Sequence, residues 1–299
     1  MVDYDLIIVG AGPAGMNACL YASRSNLKTL VIEKNCPGGK MVKTSKIENW
    51  ISVKEISGVD LALEMFKHSF SFGGEYIQGN VINIVNHDNY KEVVLEDKSY
   101  TSYVVIIATG TSERKLGING EDKFYGKGVS YCTICDAPLY KNKIVAVAGS
   151  SNKAIEEAMY LTKFASKVYL LNDKEVINYK EIDTNKIEVI NNCKLVSING
   201  EDAVSSVTIT TNGEEKNIEL SCVFPLYGGI PDTMITSRLN LVNDKNYVIV
   251  NENQETKIEG IYACGDCTNN NLKQIVTACS SGAVAAVQAY KYISKIKTK

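Results

Sequence analysis

The chain has 299 residues, more than one hydrophobic core usually supports, so we expect two domains. Hydrophobic residues make up 45% and charged residues 22%, which is typical of a globular protein. The net charge of -2 and the lack of a basic cluster with interleaved aromatic residues argue against nucleic-acid binding. No apolar run approaches membrane-spanning length and the N-terminus has the pattern of a strand, so we expect no membrane association and a cytoplasmic location.

The first predicted element is a buried strand over residues 4–9, which leads directly into a glycine-rich turn and a helix. Gly10 permits the tight turn, Gly12 lets the backbone approach a pyrophosphate, and Gly15 lets the helix pack closely on the strand. The next strand ends at Glu33, whose carboxylate can accept hydrogen bonds from ribose hydroxyls. Strand, turn, helix and acidic residue in this order predict a dinucleotide site.

A Cys-x-x-Cys pair lies in the middle of the chain. Cys132 and Cys135 have a spacing that allows a disulfide, and placement at a helix start would lower the pKa of the first thiol. Asp136 can carry the proton that dithiol chemistry requires, whereas His68 and His87 lie far away in sequence. A zinc half-site is the competing interpretation, but no second pair or histidine cluster lies at a suitable distance. We therefore predict a redox-active pair and no metal.

A second strand–turn–helix unit begins with a predicted strand over 143–148. Its turn, Gly149–Ala154, has Ser151 where the pattern requires the glycine that admits the pyrophosphate. The following strand ends at Asn172, and no arginine is available there to bind a 2′-phosphate. These features favour a nucleotide-type fold that no longer binds nucleotide. The alternative that Asp173 holds the 2′-hydroxyl of NADH stays open.

A further Cys-x-x-Cys pair, Cys264 and Cys267, surrounds Gly265 and Asp266. Because these residues follow a short buried strand, the Asp266 carboxylate could reach a ribityl hydroxyl, and the Gly-Asp pair is the functional candidate. The nine cysteines are an odd number and are scattered through predicted core strands, which suits reduced thiols. We therefore favour buried free thiols for Cys264 and Cys267, with a second redox pair as the alternative.

Together these motifs resemble one family, the low-molecular-weight thioredoxin reductases, over nearly the whole chain. The resemblance rests on Gly10–Gly15, Glu33, Gly38–Gly39, Ile47–Trp50, Ala108–Gly110, Cys132–Asp136, Gly265–Asp266 and Lys273–Ala278. It implies an α/β fold with two Rossmann-like three-layer domains: a discontinuous FAD domain over 1–113 and 237–299, and an inserted redox domain over 114–236. It also implies a homodimeric flavoprotein that passes electrons from FAD through a disulfide to thioredoxin.

The same resemblance implies roles for individual residues. Cys135 would face the flavin, Cys132 would attack thioredoxin, and Asp136 would be the acid/base residue. The residues implied to contact FAD are Gly10, Gly12, Pro13, Ala14, Gly15, Glu33, Lys34, Gly38, Gly39, Asn49, Ala108, Thr109, Gly110, Gly265, Asp266, Lys273, Gln274 and Ile275. Lys40 stands where many relatives have glutamine.

The electron donor is predicted from what the chain lacks. NADPH-using members carry a GGGDSA-like run and a His-Arg-Arg motif, and Gly149–Ala154 and Leu171–Asp173 stand in those places. Because the chain lacks both motifs, it most resembles the ferredoxin-dependent flavin thioredoxin reductases of anaerobic bacteria. An iron–sulfur donor suits FAD, which accepts single electrons. Ferredoxin is therefore the predicted donor. The alternatives are an NAD(P)H-dependent reductase, a cyanobacterial-type reductase with an undefined donor, a flavin-dependent disulfide oxidase and a regulatory FAD-binding protein.

Overall fold

The computed structural model describes residues 2–44, 46–174 and 185–298. The chain divides into two compact units: unit 1 comprises Met1–Ser112 and Ile230–Lys299, and unit 2 comprises Glu113–Gly229. The second division therefore lies before the sequence-based boundary near 237. Its position follows from packing, because Ile235 belongs to a hydrophobic cluster of unit 1. The predicted α/β class with Rossmann-like sheets is confirmed.

Unit 1 is built on a mostly parallel sheet. Its first part contains β1 (Tyr4–Val9), α1 (Pro13–Arg24), β2 (Thr29–Glu33), α2 (Gly58–Phe70), β3 (Glu75–Gln78), β4 (Val81–Asn86), β5 (Lys91–Leu95) and β6 (Ser99–Ile107). The strand order is β3-β2-β1-β6-β5-β4, and β1 pairs in parallel with both β2 and β6. Strand β1 reads as a continuous apolar run because Leu6, Ile7 and Ile8 are fully buried on both faces of the sheet.

Unit 2 follows the short connecting strand β7 (Thr111–Glu113). Its elements are α3 (Thr133–Asp136), β8 (Ile144–Ala148), α4 (Asn152–Leu161), β9 (Lys167–Leu171), β10 (Ile187–Ile190), β11 (Cys193–Gly200), β12 (Val204–Thr211), β13 (Glu214–Glu219) and β14 (Cys222–Pro225). A four-stranded parallel sheet has the order β10-β9-β8-β14, and β11, β12 and β13 form a three-stranded antiparallel sheet. The buried strand, turn and helix from β8 to α4 thus retain the nucleotide-binding arrangement.

The chain returns to unit 1 through β15 (Gly229–Pro231), and then forms β16 (Ile261–Ala263) and the long helix α5 (Ile275–Lys297). Strand β16 extends the sheet by pairing with β6. Helix α5 packs on α1, and Gly282 permits this contact because a Cβ there would clash with the carbonyl oxygen of Ala14. Within the described residues, no helix is both long and apolar enough to cross a bilayer.

Candidate active site

Two glycines of the N-terminal turn are required by its backbone. Gly10 has φ of +110°, and a Cβ there would clash with the carbonyl oxygen of Ala108. A Cβ at Gly15 would clash with the carbonyl oxygen of Gly10. The tight turn and the close packing of helix on strand therefore both depend on glycine.

Gly12 has a different role, because it leaves space open in front of α1. It is the N-cap of the helix and offers no side-chain hydrogen bond, and no described atom lies within 4 Å of an added Cβ. Pro13 starts the helix and Ala14 is buried behind it. Unpaired amides in the first helical turn can therefore face an anion, which suits a pyrophosphate.

Glu33 lies beside this turn at the end of β2. Its Oε2 accepts a hydrogen bond from the Ala11 amide at 2.8 Å, and its Oε1 accepts one from the Asn35 amide at 2.9 Å. These bonds fix the carboxylate at a cleft of unit 1 and leave lone pairs for ribose hydroxyls. Lys34 lines the same cleft and forms an ion pair with Asp232.

The Gly-Asp pair after β16 approaches α1 from the other part of unit 1. Gly265 has φ of +75°, and a Cβ there would lie 2.8 Å from the Ala14 Cβ. The Gly265 amide also donates to the Ser281 hydroxyl at 2.9 Å. Asp266 is thereby held near the helix start, where its Oδ2 lies 3.4 Å from the Lys40 Nζ.

Several other residues implied to contact FAD lie against the same turn. The Gly38 amide donates to the Ala11 carbonyl oxygen at 2.8 Å, and a Cβ on Gly39 would lie 3.4 Å from the Gly12 Cα. The Ala108 amide donates to the Val9 carbonyl oxygen at 2.8 Å and so starts the Ala108–Gly110 segment beside β1. Thr109 lines the cleft that contains Glu33.

A third group connects the loop before α2 to the start of α5. Asn49 Nδ2 donates to Gln274 Oε1 at 3.1 Å, and Gln274 is the N-cap of α5. Lys273 Nζ donates to the Thr268 carbonyl oxygen at 2.6 Å. Ile275 packs against the hydrophobic cluster that contains Met41. Met16 of α1 belongs to the same cluster, so α1 and the start of α5 share one part of the core of unit 1.

In unit 2 the predicted thiol pair forms a disulfide. Cys132 and Cys135 are bonded to each other with their Cα atoms 5.3 Å apart. Cys132 is the N-cap of α3, which has only four residues. The Cys135 amide donates to the Cys132 Sγ at 3.3 Å, and the Cys132 amide donates to the Ser130 hydroxyl at 3.1 Å. These contacts hold the first sulfur next to a local hydrogen-bond donor.

Asp136 follows the disulfide directly and is largely buried. Its Oδ1 has no hydrogen-bond partner in the described part of the chain. Burial raises the pKa of this carboxyl above its ordinary value of 3.8, and a hydrogen bond with the Ser130 side chain opposes that change. The protonated form is therefore more populated than in an exposed aspartate at the same pH, which suits a proton donor that directly follows the disulfide in the chain. Sequence reasoning missed Ser130, for which the Cys-x-x-Cys-Asp motif carries no signal.

The second strand–turn–helix unit makes internal hydrogen bonds at its ligand-type positions. Ser151 is the N-cap of α4, and its hydroxyl accepts from the Ala154 amide at 3.2 Å. Asn172 is buried, and its Nδ2 donates to the Lys174 carbonyl oxygen at 2.9 Å and to Asn191 Oδ1 at 2.7 Å. Asp173 is exposed. Two of the positions that would recognise a nucleotide are thus satisfied by the chain itself.

The second cysteine pair consists of buried free thiols in this structure. Cys264 and Cys267 are both fully buried, and burial raises the pKa of each thiol. Cys267 Sγ donates to the Cys264 carbonyl oxygen at 3.3 Å. No cluster of residues suited to a metal ion occurs in the ranges that the structure describes.

The chain is similar to known proteins over almost its full length. A profile of the Pyridine nucleotide-disulphide oxidoreductase family matches residues 4–282. The thioredoxin reductase of Bacillus subtilis (strain 168) is 38% identical, over 98% of this chain and 96% of its own. The crystal structure of thioredoxin reductase from Streptococcus pyogenes MGAS5005 is similar with a TM-score of 0.94 and 37% identity, over 98% of each chain. A ferredoxin-flavin thioredoxin reductase from Clostridium acetobutylicum has a TM-score of 0.56 and 32% identity, over 99% of each chain.

Proposed function

The chain belongs to the pyridine nucleotide-disulphide oxidoreductase family and is an FAD-containing thioredoxin reductase, and we propose a role for each of its site residues. Cys132 and Cys135 form the pair that passes electrons to thioredoxin. The observation that carries this proposal is the disulfide itself, which is followed directly by a buried carboxyl with a raised pKa.

The residues of unit 1 fit FAD. The open space at Gly12 and the uncapped start of α1 suit the pyrophosphate, the Glu33 carboxylate suits a ribose, and Asp266 suits the ribityl chain. Bound FAD would supply the two electrons that reduce the disulfide. We propose that the other residues named above for FAD also contact it: Gly10, Pro13, Ala14, Gly15, Lys34, Gly38, Gly39, Asn49, Ala108, Thr109, Gly110, Gly265, Lys273, Gln274 and Ile275.

Thiol–disulfide exchange then follows from the chain's own residues. In the reduced pair, the Cys132 thiolate attacks one sulfur of the thioredoxin disulfide, and a mixed disulfide forms as the thioredoxin S–S bond breaks. The Cys135 thiolate attacks Cys132 Sγ, which re-forms the Cys132–Cys135 disulfide and releases the second thioredoxin thiolate. Asp136 gives its proton to a leaving thiolate. The Cys135 amide, 3.3 Å from Cys132 Sγ in the oxidised pair, stabilises the attacking thiolate.

We propose that electrons enter from reduced ferredoxin and not from NADPH. The support is Ser151, whose hydroxyl caps α4, and Asn172, whose buried amide is bonded within the chain. The comparisons support the reductase activity and lend no support to ferredoxin over a nicotinamide donor, because the more similar relatives are named simply thioredoxin reductase. NADH is the second candidate, because Asp173 is exposed and could bind a ribose hydroxyl.

An anaerobic titration separates these donors. The purified FAD-loaded protein is mixed in turn with NADPH, NADH and reduced ferredoxin, and the flavin absorbance is followed. We expect ferredoxin alone to bleach the flavin, at a rate that falls with rising salt if lysines steer the acidic partner. Stoichiometric bleaching by NADPH or NADH within a turnover time would reject ferredoxin dependence and restore the nicotinamide-dependent alternative.

We also propose a cytoplasmic homodimer. The location is supported by the free thiols outside the Cys132–Cys135 pair, since buried reduced cysteines are typical of a reducing compartment. The dimer is carried over from the family resemblance. Light scattering of the FAD-loaded protein tests it: a mass of one chain at micromolar concentration would reject the dimer and leave the reductase proposal intact.

A further inference from the structure

A lysine is held at the proposed ribityl end of the cofactor site. Lys40 lies in a short 3-10 helix, Gly39–Lys43. Its Nζ donates to the Thr111 hydroxyl at 2.7 Å and lies 3.4 Å from Asp266 Oδ2. The side chain of Lys40 is 40% exposed and that of Asp266 is 20% exposed. The ammonium group therefore has two fixed partners and stays in contact with solvent.

The neighbours of Lys40 locate this charge relative to the rest of the proposed site. Gly39, which precedes it, approaches Gly12 at the pyrophosphate position. Thr111 follows the Ala108–Gly110 segment, and Asp266 is the residue proposed to contact the ribityl chain. Glu33, at the proposed ribose position, forms its hydrogen bonds with Ala11 and Asn35 instead. The charge of Lys40 is thus at the flavin side of the pyrophosphate position.

A charge at this position changes the free energy of reduction of bound FAD. When bound FAD takes up two electrons and one proton, it gains one negative charge. A nearby carboxylate opposes that gain, and a nearby ammonium group favours it. Asp266 and Lys40 therefore act in opposite directions, and the ion pair at 3.4 Å offsets the carboxylate.

We propose that Lys40 raises the reduction potential of bound FAD, by favouring the reduced cofactor and by offsetting Asp266. Replacement by a neutral residue leaves the carboxylate without its cation, so the potential falls. Because Lys40 is partly exposed, solvent screens its charge, and we expect a change of about tenfold in the reduction equilibrium. Tenfold corresponds to about 30 mV for a two-electron couple.

The test compares Lys40→Gln, Lys40→Met and Lys40→Arg with the wild-type protein, all loaded with FAD. Each is reduced anaerobically in the presence of a reference dye of known potential, and flavin and dye absorbances give the equilibrium. We expect Gln and Met to lower the potential by a similar amount and Arg to keep it. Lys43→Gln is the matched control, because Lys43 is an exposed lysine on the same short helix, and we expect no change from it.

The inference rests on the proposed FAD contacts, and the outcomes distinguish the two. An unchanged potential in FAD-loaded Lys40→Gln and Lys40→Met rejects the role of Lys40 alone. An equal fall in Lys43→Gln also rejects it, since general surface charge would then account for the effect. If Gln and Met lose FAD and Arg keeps it, Lys40 is a binding residue and the proposed tuning is wrong. A wild-type protein that binds no FAD would instead reject the cofactor contacts.

Discussion

The turn before α1 and the turn before α4 follow the same strand–turn–helix order but differ at their third position. Gly12 caps α1 without a side-chain hydrogen bond and leaves open space beside it. Ser151 caps α4 with its own hydroxyl, which accepts from the Ala154 amide at 3.2 Å. One helix start therefore keeps its amides for an anion, and the other satisfies an amide from within the chain.

The same contrast recurs at the end of the following strand in each unit. The Glu33 carboxylate lies in a cleft and is oriented by two backbone amides. Asn172 is buried and donates to Lys174 and Asn191. Both units nevertheless bury their parallel strands, because packing between strand and helix does not depend on the ligand. The fold of unit 2 is therefore compatible with a role that needs only its disulfide.

The largest effect is expected from the disulfide that unit 2 carries. Cys132→Ser and Cys135→Ser should each lower thioredoxin reduction by about a thousandfold or more, because neither remaining thiol can complete the exchange. Both variants should keep bound FAD, whose proposed contacts are in unit 1. Cys36→Ser is the control, since Cys36 is an exposed free thiol, and it should keep full activity. Substantial turnover in either serine variant would show that the exchange uses other thiols.

The second prediction concerns the open turn of unit 1. Gly12→Val should fold, because an added Cβ meets no described atom within 4 Å, yet its side chain should fill the pyrophosphate position. We therefore expect Gly12→Val to bind FAD at least about tenfold more weakly, which is the effect of losing a single charge-assisted hydrogen bond to the pyrophosphate. Ser151→Val is the matched control and should keep its FAD. Flavin absorbance per chain and thermal unfolding measure both variants; equal FAD content in the two would remove the difference between the turns.

The third prediction concerns proton delivery in unit 2. Because burial raises the pKa of Asp136 above 3.8, its carboxyl keeps the proton to higher pH than an exposed aspartate. Reoxidation of the reduced enzyme by thioredoxin should slow as pH rises through this raised pKa. Asp136→Asn should be slower at low pH and lack that dependence, with unchanged FAD binding. Stopped-flow reoxidation across pH measures this, and an identical rate profile would assign Asp136 a structural role.

The same pKa change has a consequence for stability. Folding raises the pKa of this carboxyl, so the folded state binds its proton more tightly than the unfolded state does. The stability that this proton provides is lost as pH rises through the folded pKa. Wild-type protein should therefore lose stability over that range relative to Asp136→Asn. Chemical denaturation at several pH values measures the difference. A constant difference across pH would mean that folding does not raise the pKa of Asp136.

Sequence reasoning found the features that depend on local order and missed those that depend on long-range packing. The order of strand, glycine turn and helix is encoded within Tyr4–Arg24, and the Cys132–Cys135 spacing is likewise local. The ion pair between Lys34 and Asp232 joins residues 198 positions apart, and no motif predicts it. The place where the chain returns to unit 1 likewise depends on long-range packing, because Ile235 belongs to a hydrophobic cluster of unit 1 through contacts that its neighbours in sequence do not reveal.

The smallest effect is expected at Ser151 itself. Ser151→Ala removes the hydroxyl that caps α4 and leaves the Ala154 amide without that acceptor, so the free energy of unfolding should fall by about 1 kcal/mol. Ser151→Gly should lower the free energy of unfolding by only a few tenths of a kcal/mol, since glycine is tolerated at the N-cap. Neither variant should change FAD content or gain flavin reduction by NADPH, because Asn172 still stands where an arginine is needed. Urea denaturation and the NADPH titration measure both. If Ser151→Gly gained rapid reduction by NADPH, the serine would be the main barrier to the nucleotide, and the internal bonds of Asn172 would be of little importance.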